Sequence, residues 1–236
     1  MSSLTLFGFL CLAAGRRLQT TKPGSPSKTY HAFYATALQS ASGSSVSAEI
    51  RVYSPFNDTI LPDNTVAFVV AKAFFPNNDT VLLDASHVIP MPGDPSSDDY
   101  DNFLPDCPYP FLIGLGSVPS KFELLPDGVS KTFNVISSDF IRDGVKSSTI
   151  QCAYNGSRAR WSKTPAPNVN SVVQFFGTLD NASHSGDVRV NVDNIVLNVG
   201  HQDSSQPAPS SSTPVKKRKF NAFASPSAST PTPTPS

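Results

Sequence analysis

The stretch Asp187 to Leu197 (DVRVNVDNIVL) leaves its backbone little choice. Val188, Val190 and Val192 recur at every second position, with Arg189, Asn191 and Asp193 between them. A period of two sends the valines to one face of a strand and the polar set to the other. The Asn-, Ser- and Gly-rich run before it pairs this strand with 171–178 as a hairpin. Val46, Ala48, Ile50 and Val52 repeat the pattern within VSAEIRVY. TVAFVVAKAFF (65–75) lies between Pro62-Asp63-Asn64 and Pro76-Asn77-Asn78, both of them turn chemistry, and 80–89 follows as its hairpin partner. Residues 30–38 read as a strand or a short helix. Residues 111–118, 131–137 and 147–154 are further strands, and Gly114 and Gly116 point to a bulge or a close backbone approach. Nothing between 28 and 200 has the period of a long amphipathic helix, and 22 prolines favour short elements and many turns. About nine strand candidates make the class all-β, a barrel or a sandwich.

Three segments follow from the composition. Residues 1–27 hold an apolar run, Leu4 to Ala14, and then GRRLQTTKPGSPS; they read as an apolar leader and linker. Residues 28–200 read as one β-domain. Residues 201–236 are Pro, Ser and Thr at 20 of 36 positions, too polar to offset their ordering entropy, and read as a disordered tail. Within that tail, Lys216, Lys217, Arg218 and Lys219 follow Pro214-Val215 in the form of a monopartite nuclear localisation signal for an import receptor. Net charge is zero, but 27–200 carries 11 Lys and Arg against 17 Asp and Glu. An acidic domain repels a polyanion at long range, which weighs against nucleic acid. No stretch reaches transmembrane length, so no membrane partner is expected. Cys11, Cys107 and Cys152 lack metal-ligand spacing; Cys107 and Cys152 read as buried free thiols, with a disulfide as the alternative.

Catalytic motifs are lacking: no GxSxG, HExxH, P-loop or Rossmann fingerprint occurs, and His31, His87, His184 and His201 are scattered. The expectation is a non-enzymatic protein without cofactor or metal. Asp94, Asp98, Asp99, Asp101 and Asp106 are dense but match no calcium loop, so they read as a solvated loop. The run NGSRARWSK (155–163) is more informative. Arg158, Arg160 and Lys163 suit phosphates, and Trp161 offers a flat face for a base. The competing reading places Trp161 as the plug of a barrel end with the arginines in solvent. Tyr34, Tyr53 and Phe75 are further aromatics expected mainly in the core, with Tyr34 carried as the second stacking residue.

The run SVVQFFGTLDNASHSGDVRVNVDNIVLNVG (171–200) resembles the closing strands of an OB-type barrel, and IRVYSPFNDTILPDNTVAFVVAKAFF (50–75) is similar to OB-like proteins of mushroom-forming fungi, of the replication-protein-A-like, single-strand-binding type. The resemblance spans about residues 28–200. It implies an antiparallel OB-like barrel with extensions and a nuclear module that binds single-stranded DNA or RNA. Two alternatives stand beside it. The apolar run, four sequons at Asn57, Asn78, Asn155 and Asn181, and the Ser/Thr/Pro tail fit a secreted glycosylated β-sandwich. Edge strands and the tail fit a scaffold with protein partners.

Overall fold

A computed structural model describes residues 2–21, 28–55, 57–77, 79–182 and 188–200. The strands are β1 (Ser3–Cys11), β2 (Ala13–Thr21), β3 (Lys28–Gln39), β4 (Ser45–Tyr53), β5 (Val66–Phe74), β6 (Val81–Pro90), β7 (Phe111–Ser117), β8 (Glu123–Leu124), β9 (Ser130–Ile141), β10 (Gly144–Asn155), β11 (Val172–Ala182) and β12 (Val188–Val196). Among the described residues the one helical turn is a 3-10 segment, Tyr100–Phe103, in the long loop between β6 and β7. The sheet runs β2-β3-β4-β6-β5-β1-β7-β11-β12-β10-β9-β8, and β7 also meets β9.

That order folds into two rings. In the second, β7-β9-β10-β12-β11 returns to β7, a closed barrel of five strands. In the first, β1 and β2 are one strand bent at the fully buried Leu12, and they bound the ring β2-β3-β4-β6-β5-β1 at its two ends. Both rings share a signature. The third and fifth strands pair in parallel, Ile50 beside Leu83 and Ile150 beside Val188, while every other pairing is antiparallel. Of the barrel and the sandwich that the sequence left open, the barrel is present, and its strand order occurs twice. Antiparallel pairing of β1 with β7, from Ser3 opposite Leu115 to Phe7 opposite Phe111, makes the two barrels one sheet.

Two expectations change here. Residues 3–21, read as leader and linker, form β1 and β2. β1 has neighbours on both sides, β5 and β7. Its even positions fill the core, and its odd positions carry Phe7, stacked on Phe111 and Phe176, and Phe9, against Phe68. Because its half-buried outer positions hold aromatic rings as apolar as the core leucines, the strand reads in sequence as a plain apolar run. The single domain expected over 28–200 is likewise a pair of barrels, the first of which begins at β1. The tail from 201 onward lies outside the described residues.

Alternation sends the expected residues inward: Val46, Ala48 and Ile50 from β4, and Val188, Val190 and Val192 from β12, are all buried. Glycine is needed where strands close tightly. A Cβ on Gly116 would lie 2.2 Å from the Ile136 carbonyl oxygen, where β7 meets β9, so only glycine lets the second ring shut.

Candidate nucleic-acid interface

Arg158, Arg160 and Lys163 lie exposed on the loop between β10 and β11, which contains no acidic residue. The loop winds tightly: the Trp161 and Ser162 amides both donate to the Arg158 carbonyl, at 2.8 and 3.0 Å. This winding turns the indole inward. Trp161 is 6% exposed, its ring 5.0 Å from Tyr154, with the Arg160 guanidinium 5.1 Å above its other side. The indole plugs the end of the second barrel, so the expectation of an open stacking face at Trp161 is corrected. An aromatic of this size gains more from burial than from solvent contact, and the sequence offers no other Trp to fill that end.

Tyr34 is corrected for the same reason. It is 3% exposed inside the first barrel, where its hydroxyl accepts from the Leu61 amide at 3.1 Å. It sits in line with Ala32 and Leu38 on the inward side of β3. The structure therefore does not bring Tyr34 together with the Arg158–Lys163 loop, which belongs to the other barrel. Phe75 is buried as expected. Lys216, Lys217, Arg218 and Lys219 fall outside the described residues. Cys152 is buried and Cys107 half-buried; neither is paired, and burial pushes the Cys152 thiol up. Among the described residues no cluster of His, Cys, Asp or Glu is arranged to hold a metal ion.

The face that the sequence reading missed is the outside of β2-β3-β4. Register places Arg16 opposite Phe33 and Phe33 opposite Arg51, with Asp84 next along β6. The adjacent row is Leu18, His31 and Tyr53. Tyr53 is 63% exposed and Leu18 45%, and the His31 ring meets Tyr53 edge-on at 6.3 Å. Arg142, from the two-residue turn between β9 and β10, reaches this face from the second barrel. Its amide donates to Asp84 at 2.7 Å and its guanidinium to Glu49 at 2.6 Å. Arg16 and Arg142 both lie 5.4 Å from the Phe33 ring centre. Arg51 forms a two-pronged pair with Asp84, at 2.9 and 2.7 Å, and Arg16 pairs with Glu49. Three guanidiniums thus share two carboxylates, so this ion-pair network carries one net positive charge.

The network sets its own protonation. Partial burial pushes Glu49 up, but hydrogen bonds and charge from Arg142 and Arg16 outweigh it and hold the carboxyl below its ordinary range. Burial and the Arg51 charge lower His31, against a smaller opposing pull from Asp84. Arg17, of the opposite parity on β2, holds its guanidinium 4.7 Å from the Tyr30 ring and donates to the Pro55 carbonyl at 2.6 Å. The arrangement offers flat apolar surface beside held guanidiniums, the pairing that a single strand with exposed bases requires. The alternation of β4 contained this signal. With Val46 to Val52 inside, Glu49, Arg51 and Tyr53 must point out.

The acidity that weighed against a polyanion is also localised. All five aspartates of the Asp94–Asp106 group are exposed in the loop joining the barrels, and without it the barrels are close to neutral.

No family model matches the sequence, and no curated protein does. Solved structures do match. The single-stranded DNA binding protein from Thermus aquaticus superposes with a TM-score of 0.51 at 14% identity, covering 87% of this chain and 97% of that one. A deletion mutant of the same protein gives 0.50 at 12%, covering 87% and 98%. The chain thus has an OB-like fold, shared with that protein over nearly all of that protein's length.

Proposed function

We propose that this protein binds single-stranded DNA or RNA without catalysing a reaction on it. The observation that carries the reading is the outer face of β2-β3-β4, where exposed Tyr53 and Leu18 lie beside a net-positive guanidinium cluster on a barrel of single-strand-binding type. Bases stack on the flat surfaces while cations meet the phosphates. The exposed Arg158, Arg160 and Lys163 supply a second, sequence-tolerant phosphate contact. Action in the nucleus is part of the same proposal, supported by the Lys216–Lys219 run that an import receptor would read.

A mobility shift with a labelled single-stranded oligonucleotide tests it. The expected result is a shift at low salt that unlabelled single strand competes away and unlabelled duplex does not. Competition by duplex as efficient as by single strand would count against it.

A further inference from the structure

A cavity of about 460 Å³ opens at one end of the first barrel, between the end of β4, the last turn of β6 and the loop 54–65. It falls within the roughly 300–1,000 Å³ of small-ligand pockets. Leu61, Val52 and Val88 give it an apolar floor, and exposed Tyr53 forms one wall. Its polar groups come from Asp58 and Thr59 on the loop, Ser86 and His87 on β6, and the tyrosines Tyr34 and Tyr53.

A β-bulge puts the second pair there. Val70 is opposite His87 but Ala71 is opposite Ala85, so Ser86 is the extra residue, and its neighbours are re-aimed. The Ser86 hydroxyl donates to the Val70 carbonyl at 3.2 Å and lies 3.0 Å from His87 Nδ1. The same hydroxyl ties the His87 ring to the bulge, so the imidazole stands at the rim of the cavity, as does the Asp58 carboxylate. The rim therefore presents a carboxylate, an imidazole and hydroxyl groups over an apolar floor beside an aromatic ring. A carboxylate rejects phosphate and favours a planar ring that carries adjacent N–H donors. Among bases, guanine has them, as N1–H and the exocyclic amino group.

We propose that this cavity takes one unstacked guanine base of the bound strand, held against Tyr53 and hydrogen-bonded by Asp58. The inference rests on the single-strand reading above and adds a base preference to it. The test compares a thymidine 20-mer with the same strand carrying one central guanine, using the full chain, alongside saturation-transfer NMR of guanosine and thymidine. The single guanine is expected to tighten binding roughly tenfold, the scale of one two-pronged base contact. Asp58→Asn should abolish that gain and leave the thymidine strand unchanged, while Tyr53→Ala should weaken both. Both side chains are exposed, and circular dichroism confirms that the variants fold. Saturation transfer to guanosine but not to thymidine supports the pocket even where neither strand binds, an outcome that removes the single-strand reading alone. Equal affinity for the two strands, or a gain that survives in Asp58→Asn, overturns the pocket and leaves single-strand binding standing.

Discussion

Trp161 and Tyr53 exchange the roles that composition assigned to them. A lone Trp among arginines looks like a base platform, yet the tight turn through Arg158 carries it into the barrel end against Tyr154. Short-range context names the neighbours of a side chain but not the direction of a loop, so the sequence left two readings open, and the structure bears out the one that makes Trp161 the plug of a barrel end. Tyr53 was legible from β4 parity, and its aromatic character hid it among expected core residues. The two tryptophan readings separate in solution. Trp161→Ala should cost about 3–5 kcal/mol in urea unfolding, as for a buried aromatic, while Arg158→Ala should cost under about 0.5 kcal/mol. The fluorescence of Trp161 should be blue-shifted and unquenched when a single strand binds. Strong quenching would mean that the indole does meet a base.

The elements show where alternation succeeds and where it fails. β4, β5, β6, β11 and β12 each bury one face and half-expose the other, and their residues announce it. β1 carries aromatic rings at its outer positions, and β2 is bent by a register shift between Ala13 and Arg16 with Ala14 at φ 50°, so neither shows a clean period in sequence. The β9–β10 turn is equally silent in sequence. There Arg142 adopts φ 58° and ties the second barrel to Glu49 and Asp84 of the first. Because the folded Glu49 carboxyl sits below its ordinary range, its contribution is complete above the ordinary glutamate value, about 4.3, and is lost as pH falls through the lower folded value. Glu49→Gln should therefore destabilise the protein by about 1–2 kcal/mol at pH 7, and the difference from the parent should shrink as the pH drops below about 4. Urea midpoints measured across that range check it; a difference independent of pH would exclude the ion pairs as its source.

For the whole molecule, the count of strands was near the truth but their division was not. About nine candidates over-filled one five-stranded barrel, and the structure resolves the excess as two barrels with the same parallel third-to-fifth pairing, joined through β1 and β7. A repeated strand order of this kind leaves no short sequence period, because each barrel spans about a hundred residues of ordinary alternation. Charge was misleading for a related reason. The excess acid belongs to the loop between the barrels, whereas the guanidiniums gather on the outer face of the first and on the β10–β11 loop of the second. Binding to a single strand should then release counterions despite the acidic total. The direct measurement is fluorescence anisotropy of a labelled single-stranded oligonucleotide, titrated over a series of salt concentrations. The affinity should fall with salt with a log–log slope of roughly −2 or steeper, as about three or more phosphates are neutralised. No binding by micromolar protein at low salt, or an affinity indifferent to salt, would contradict the account.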